Sequence, residues 1–220
     1  MGHGVAGLIV AFGLAALAAP VLCPLARRLG WVDRPNGRKA HAAATPHVGG
    51  LAIAIAMTLA AWLVDQPLSG GLLAGVAIIF IAGWLDDRLD LRWQARFLLQ
   101  GLAVSAMVML DGLSLTTLGA AFGDLALTPL IGVPVTIVLA LGFINAMNMI
   151  DGLDGLAGSV AAAGLLVLGC AAAALGDIRL LAVLGVAFGA VAGFLAFNAR
   201  FPGRRAAMIF LGNSGSEMLG

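Results

Sequence analysis

The segment F-I-N-A-M-N-M-I-D-G-L-D-G-L-A-G-S, residues 143–159, decides how the chain folds. An apolar run typical of a membrane interior ends here in two carboxamides and two carboxylates, Asn145, Asn148, Asp151 and Asp154, each three residues apart. A charged side chain at mid-bilayer costs roughly 2.5–3.5 kcal/mol on the insertion scale, so such groups mark candidate functional sites. The segment therefore predicts a membrane helix that ends in a polar site.

Composition places the rest of the chain in a membrane as well. Of its 220 residues, 61% are hydrophobic and 10% are charged, and the mean hydropathy is +1.05, whereas a soluble domain has about 25% charged residues. An apolar helix needs about 20 residues to cross the hydrocarbon core. The sequence predicts an all-α, polytopic transmembrane helical bundle with about seven spans, and its net charge of +1 gives no indication of nucleic-acid binding.

The apolar runs divide residues 1–220, read as one integral membrane domain, into spans and loops. The predicted spans are 5–25, 51–64, 71–85, 97–110, 129–149, 159–175 and 180–197, and loops 26–50, 86–96, 150–158 and 198–220 then share one face. Every Lys and Arg except Arg179 falls on that face. By the positive-inside rule the face is cytoplasmic and the N-terminus lies outside. A cleaved signal peptide competes for 5–25, but Arg27 and Arg28 follow the run and no cation precedes it.

Four polar segments from distant parts of the chain thus meet at one membrane face. They are the basic loop 30–50 with Arg38, Lys39 and His41, the turn 86–96 with Asp86, Asp87 and Arg96, the segment 151–158, and G-N-S-G-S at 212–216. Crowded carboxylates favour a hard cation. We expect Mg²⁺, with Mn²⁺ as a substitute, and the cationic loop suits a phosphate-bearing ligand.

Each segment also has a purely structural interpretation. D-G-L-D-G-L suits a helix end and turn, the basic loop suits a solvated surface, and Asn213 or Ser214 could cap a following helix. Residues three apart step round an α-helix by about 60°, so an unbroken helix would fan the four polar groups across half its surface. Gly152 and Gly155 favour a tightened or unwound helix end instead.

From about Gly30 onward these motifs resemble the polyprenyl-phosphate N-acetylhexosamine-1-phosphate transferases, most closely the WecA/TagO branch. N-A-M-N-M-I-D-G-L-D-G-L-A at 145–157 is similar to the family signature N-x-x-N-x-x-D-G-x-D-G-L. L-D-D-R-L-D-L-R-W-Q-A-R at 85–96 resembles D-D-x-x-x-L-x-x-x-x-K, with Arg96 in place of Lys. R-K-A-H-A-A-A-T-P-H-V-G-G at 38–50 resembles the first cytoplasmic loop, and F-L-G-N-S-G-S at 210–216 resembles F-x-G-D-x-G-S.

The resemblance implies a reaction at the cytoplasmic face of a bacterial inner membrane. Polyprenyl (undecaprenyl) phosphate attacks the sugar-linked phosphorus of a UDP-N-acetylhexosamine, such as UDP-N-acetylglucosamine, and UMP leaves; this is the first membrane step of cell-envelope glycan synthesis. The implied catalytic residues are Asp86, Asp87, Asp151 and Asp154, the implied metal residues are Asp151, Asp154 and Asn213, and the implied substrate residues are Arg38, Lys39, His41, Arg96, Asn145, Asn148, Gly212 and Ser214.

Two departures from the family pattern keep a second hypothesis open. Asn213 stands where the family usually has an aspartate that ligates Mg²⁺. Family members also usually have about ten spans and a later His-rich loop, which would follow Gly220, so the resemblance implies either a C-terminally truncated fragment of a longer protein or a degenerate form. Both favour a non-catalytic homologue that binds polyprenyl phosphate or a membrane partner. An ion-coupled transporter would place its acids near the bilayer midplane rather than at span ends. The oligomeric state, including a homodimer, is open.

Overall fold

The computed structural model describes residues 2–33, 44–119, 122–204 and 206–220. Within these ranges it has eight α-helices: α1 Gly2–Arg28, α2 Gly49–Leu63, α3 Gly70–Leu89, α4 Trp93–Asp111, α5 Pro129–Ile150, α6 Leu156–Leu175, α7 Ile178–Asn198 and α8 Gly212–Leu219. Two short strands, β1 Val32–Asp33 and β2 Thr45–Pro46, pair in antiparallel fashion. The predicted helical class is confirmed, and the small β1–β2 ladder is an addition to it.

Five of the described helices are long and apolar enough to cross a membrane: α1 from Gly4, α4, α5, α6 and α7. Helix α2 is apolar but has only 15 residues, and α3 has 20 residues and ends in a charged turn. Each of the seven apolar segments found in the sequence coincides with one of helices α1–α7. These lengths support a multi-pass membrane protein, while the count of seven crossings and the outer N-terminus stay predictions.

Helices α1 and α7 pack backbone against backbone. A Cβ atom added to Gly185 of α7 would lie 2.9 Å from the Gly4 carbonyl oxygen, and one added to Gly189 would overlap the Leu8 carbonyl. The facing side of α1 carries small, fully buried alanines at four-residue spacing, including Ala11. Small residues at this spacing let membrane helices approach closely, where packing rather than water exclusion drives association.

A clasp at one end of α3 ties it to the end of α4. Asp111, the last residue of α4, accepts hydrogen bonds from the backbone N–H groups of Gly71 (3.0 Å) and Leu72 (2.9 Å) and from Ser69 Oγ (2.5 Å). These N–H groups belong to the first turn of α3, which has no helical acceptor for them. The clasp therefore satisfies the α3 N-terminus, and the opposite end of α3 carries Asp86 and Asp87.

Helix α8 enters the bundle between α2, α3 and α5. Its first turn fits only because two glycines face it: a Cβ on Gly50 would lie 2.6 Å from Gly215 Cα, and a Cβ on Gly83 would overlap the Ser214 backbone. The chain before α8 also pairs with the chain before α2, since Phe210 N–H donates to the Pro46 carbonyl at 2.8 Å. This insertion places the start of α8 beside the end of α3.

Candidate functional site

A polar cleft of about 1300 Å³ opens where α3 and α5 end and α8 begins. Four sequence segments contribute to its walls, and the polar residues among them include His47, Asp86, Asp87, Asp151, Asp154, Arg200 and Asn213. The sequence analysis expected the segments around residues 86, 151 and 213 to meet, and the structure brings them together. Arg38, Lys39 and His41 lie outside the described residues.

The α5 helix ends within the row of evenly spaced polar residues 145–154 rather than continuing through it. It ends at Ile150, Asp151 is its C-cap, and a turn leads to Gly155, whose φ of 81° is in the left-handed region that favours glycine. Asn145 and Asn148 therefore lie on the helix, while Asp151 and Asp154 lie in the turn. The prediction of a broken helix end is confirmed.

Two residues that the sequence analysis did not select hold this turn in place. Asn198, at the end of α7, accepts from Gly155 N–H (2.8 Å) and donates through Nδ2 to the Ile209 carbonyl (2.9 Å). Arg200 Nε donates to Asp154 Oδ2 at 2.9 Å, and that oxygen also accepts from Ala207 N–H at 3.1 Å. The signal available in the sequence was the polar pair in A-F-N-A-R directly after an apolar span.

Of the two neighbouring acids on α3, Asp86 is the one whose carboxylate is occupied by hydrogen bonds within the protein. It is 7% exposed. Its Oδ2 accepts from Arg96 (3.0 Å) and from Asn213 Nδ2 (2.7 Å), and its Oδ1 accepts from Leu91 N–H (2.9 Å). Because both carboxylate oxygens are already hydrogen-bonded, Asp86 connects α3, α4 and α8 and has little capacity left for a ligand.

Asp87 differs from Asp86 in having a free oxygen. Its Oδ1 accepts from the Asn213 backbone N–H at 3.2 Å, whereas its Oδ2 is buried and has no hydrogen-bond partner among the described residues. Burial raises the pKa of Asp87, and the nearby His47 opposes that rise. A buried polar atom without a partner is uncommon and suggests a group that a ligand or ion completes.

Asp151 shares the electrostatic environment of Asp87. Burial, together with the negative charges of Asp87 and Asp154, raises the pKa of Asp151 to about 7. In the part of the chain that the structure describes, no three His, Cys, Asp or Glu side chains converge closely enough to hold a metal ion by themselves. Asp151 supplies carboxylate oxygens of the kind that Mg²⁺ takes together with water and phosphate, so it is a residue that could hold such a cation.

The two amides of α5 face neighbouring helices. Asn145 Nδ2 donates to Gln100 Oε1 and to the Leu141 carbonyl, both at 2.8 Å. Asn148 Nδ2 donates to Asn213 Oδ1 and to Ser216 Oγ, both at 3.0 Å. Neither amide belongs to the cleft lining, so in this structure they connect α5 to α4 and α8.

The start of α8 contributes backbone and one amide to the cleft. Gly212 lies at its edge with a φ of 74°, and a Cβ there would be 2.9 Å from Asp87 Oδ2. Ser214, expected from the sequence to contact phosphate, is fully buried between α2 and α3 and does not line the cleft. Arg96 is bound to Asp86 as described and also does not line the cleft.

Comparison with known proteins places these motifs in a family. Residues 69–220 match the model described as glycosyl transferase family 4. The chain is 32% identical over 221 residues to the "Probable undecaprenyl-phosphate N-acetylglucosaminyl 1-phosphate transferase" of Bacillus subtilis (strain 168), covering 97% of this chain and 60% of that protein.

Two further relatives are named "Undecaprenyl-phosphate alpha-N-acetylglucosaminyl 1-phosphate transferase". The protein from Yersinia pestis is 32% identical and the one from Escherichia coli (strain K12) is 30% identical, each over 200 residues. Each alignment covers 89% of this chain and 54% of the relative. The chain thus spans a little more than half of the length of the relatives it matches.

Proposed function

Since this chain belongs to glycosyl transferase family 4, we propose that it transfers N-acetylhexosamine 1-phosphate from a UDP-sugar to undecaprenyl phosphate. The relatives are named as transferases of this kind with undecaprenyl phosphate as acceptor. The observation that carries the proposal is the cleft in which Asp87 presents a buried, unpaired carboxylate oxygen near Asp151. This is an acidic site at the end of apolar helices, where a bound cation would let a lipid phosphate and a water-soluble nucleotide meet.

In the proposed reaction an oxygen of the lipid phosphate forms a bond to the sugar-linked phosphorus, and the bond from that phosphorus to the UMP oxygen breaks. Asp87 is the candidate base for the proton of the lipid phosphate, because its Oδ2 has no hydrogen-bond partner within the described ranges, whereas both oxygens of Asp86 accept hydrogen bonds. Asp86 then has a supporting role, holding Arg96 and Asn213 in place. Phosphoryl transfer depends mainly on positioning and charge neutralisation, which these contacts provide.

A divalent cation, Mg²⁺ or Mn²⁺, is part of the proposal. Asp151 would hold it, because its carboxylate lines the cleft and neighbouring negative charge helps to raise its pKa to about 7, whereas Asp87 Oδ2 is assigned to the base. When bound, the cation would neutralise the pyrophosphate and polarise the phosphorus under attack. Asp154 is already paired with Arg200, so we assign it to holding the turn and the cleft rim.

The orientation in the membrane is also proposed. We place the cleft on the cytoplasmic side of a bacterial inner membrane, with α1–α7 as seven crossings and the N-terminus outside. The Asp86–Asp87 end of α3 lies at the cleft and the Ser69 end is held by Asp111 at the other end of the helix. The proposed crossing of α3 is residues 71–85, so that Asp86 and Asp87 follow it on the cleft side.

UMP release is the direct test of the transferase function. The purified chain is incubated with UDP-N-acetylglucosamine, undecaprenyl phosphate and Mg²⁺, and UMP is measured for the natural sequence and for Asp87→Asn. We expect UMP release that requires all three components and falls at least roughly 100-fold in Asp87→Asn, as for loss of a positioned general base.

The non-catalytic alternative gives a different result in the same assay. A chain that binds undecaprenyl phosphate without transferring sugar phosphate would bind the lipid in a vesicle pull-down but would release no UMP from any UDP-N-acetylhexosamine. UMP release that is equal in Asp87→Asn and in the natural sequence would show that the cleft residue is wrongly assigned.

A further inference from the structure

Asn213 makes hydrogen bonds to α3 and α5 through three different polar groups. Its Nδ2 donates to Asp86 Oδ2 at 2.7 Å, its Oδ1 accepts from Asn148 Nδ2 at 3.0 Å, and its backbone N–H donates to Asp87 Oδ1 at 3.2 Å. These partners fix which way the amide points, because an ionised carboxylate only accepts hydrogen bonds and the Asn148 amino group only donates them. The side chain of Asn213 is thus committed at both ends.

The same segment fixes the orientation of Asp87. The backbone N–H of Asn213 donates to Asp87 Oδ1. Gly212 packs against Asp87 Oδ2 so closely that a Cβ atom added to this glycine would lie only 2.9 Å from that oxygen, which is too close. Gly212 has a φ of 74°, so a larger residue there would be strained as well as crowded. The chain around residue 213 therefore sets the rotamer of Asp87, and Oδ2 is the oxygen left without a partner in the part of the chain that the structure describes.

A neutral amide at position 213 is compatible with the neighbouring Asp86 carboxylate, because it can donate a hydrogen bond to it. Asp86 Oδ2 already accepts from both Arg96 and Asn213. If residue 213 were an ionised carboxylate, two acceptor oxygens would face each other at hydrogen-bond distance with no proton between them, and this repulsion is costly at a site with little water. An amide at 213 supplies a donor at the point where a carboxylate would add charge.

We infer that Asn213 is a positioning residue, which orients the Asp87 carboxylate through its backbone N–H while its side chain bridges Asp86 and Asn148, and that its side-chain oxygen is not a metal ligand. This inference rests on the proposed function for its catalytic consequence. It replaces the expectation from sequence resemblance that residue 213 belongs to the metal site. Asn148 is likewise a positioning residue, because its Nδ2 donates to the side-chain oxygen Oδ1 of Asn213.

A side-chain exchange between positions 86 and 213 tests the bridge. Thermal unfolding in detergent with EDTA at pH 8 is measured for the natural sequence, Asn213→Asp, Asp86→Asn and the double variant. We expect each single substitution to lower the melting temperature, and the double variant to regain at least half of the Asn213→Asp loss, because an amide at 86 can then donate to a carboxylate at 213. If the two losses simply add, the bridge is disproved.

Asn198→Ala is the matched control for the exchange. Asn198 is also a buried amide that joins separate segments, but its bonds go to Gly155 and Ile209 rather than to the acids of α3. Its loss should lower the melting temperature and add to that of Asp86→Asn without coupling. If Asn198→Ala couples to Asp86→Asn as strongly as Asn213→Asp does, then the coupling reports general loosening and the inference fails.

The catalytic part of the inference is tested with Asn213→Ala and Asn148→Ala, which remove the bridge without adding charge. We expect kcat to fall roughly 10- to 100-fold in both, as for displaced reacting groups, while the Mg²⁺ concentration for half-maximal activity changes less than twofold. Recovery of Asn213→Ala at high Mg²⁺, or tighter Mg²⁺ use by Asn213→Asp, would identify residue 213 as a ligand and overturn the inference. If the natural sequence releases no UMP, the proposed function fails, and the unfolding experiments still decide whether the bridge exists.

Discussion

At the scale of single residues, the cleft separates acids that look alike in the sequence. Asp86 and Asp87 are adjacent, yet Asp86 links helices through both of its oxygens, whereas Asp87 has one oxygen without a partner among the residues described. Asp151 and Asp154 are three residues apart, yet Asp154 is paired with Arg200 and Asp151 has its pKa raised to about 7. Asp87 and Asp151, the members of these pairs that no described residue holds in an ion pair, both line the cleft, and the charge of Asp87 acts on Asp151.

Asp151 should make the stability of the protein depend on pH when no divalent cation is present. Its folded pKa of about 7 lies above the unfolded value of about 4, so between these values the folded state holds a proton that the unfolded state has lost. Stability should therefore fall as pH rises from about 4 to about 7 and level off above, by at most about 4 kcal/mol. Melting temperatures in EDTA at pH 5 and pH 8 measure the change.

The Asp151→Asn variant should lose most of this pH dependence and should be more stable than the natural sequence at pH 8 in EDTA. Asp87 shifts in the same direction, so a smaller slope remains. Asp124→Asn is the control, because Asp124 is exposed and its φ of 54° suits asparagine equally well. An unchanged pH slope in Asp151→Asn would contradict the assignment.

The sequence identified the acids of the cleft but not what holds them. Asp87 and Asp151 could be predicted because charged groups that follow apolar runs are costly unless they have a function. Asn198 and Arg200 were missed because their partners, Gly155 and Asp154, are more than 40 residues away and are brought near only by the path of α6 and α7. Asn145 and Asn148 share the spacing of the acids, but they lie on the helical side of the break and bind other helices.

At the scale of elements, glycine positions decide how closely the helices approach. The apolar runs predicted α1–α7 because length and hydropathy alone define such helices. The sequence did not predict the β1–β2 pair, since two-residue strands have no periodicity to detect. It also did not predict that the start of α8 would be inserted against Gly50 and Gly83, because that fit depends on the spacing of two other helices.

Gly189 should tolerate no side chain. Gly189→Ala would place a methyl group against the Leu8 carbonyl of α1, where the nearest atoms are backbone and cannot rotate away. We expect the variant to lose roughly 1–3 kcal/mol of stability, as for overpacked cores. Gly164→Ala on α6 is the matched control: nothing lies within 4 Å of its added methyl, and alanine favours helix by about 1 kcal/mol. Melting curves in one detergent should show opposite signs, and equal losses would contradict the close α1–α7 contact.

The clasp between α3 and α4 should couple two residues far apart in the sequence. Ser69→Ala and Asp111→Ala each remove part of one hydrogen-bonded group at the start of α3. We therefore expect losses that are less than additive, because either variant removes the Ser69–Asp111 hydrogen bond, with the double variant still melting below Asp111→Ala, because Ser69 Oγ also accepts from Leu72 N–H at 3.3 Å. Fully additive losses would show that the two side chains act independently.

At the scale of the whole molecule, the structure has two polar ends joined by apolar helices. One end holds the cleft, and the other holds the clasp and the α6–α7 turn, where Asp177 accepts from Leu180 N–H at 2.9 Å. The sequence predicted this polarity from the distribution of Lys and Arg, with Arg179 as the exception. The shape of the cleft could not be predicted, because it depends on how four distant segments pack.

Cysteine labelling tests which end faces the cytoplasm. With Cys23 and Cys170 replaced by alanine, a single cysteine is introduced at Arg179 or at Ala206, both exposed positions. We expect a membrane-impermeant maleimide to label Arg179→Cys in intact spheroplasts and to label Ala206→Cys only after permeabilisation. The reverse pattern would place the cleft outside the cell, and labelling of both positions without permeabilisation would rule out a single cytoplasmic face.

The insertion of α8 has a consequence for synthesis. Asn213 and its partner Asp86 are 127 residues apart, so the acids of α3 leave the ribosome long before the chain that neutralises and orients them. Neighbouring helices such as α3 and α4 can pair early, because local contacts close short loops. The cleft can form only after the start of α8 has been synthesised. Until then only water or a bound cation can stabilise the charges of these acids. A chain that ends before residue 212 would lack the Asn213 contacts to Asp86 and Asp87 and would expose an incomplete site to cellular quality control.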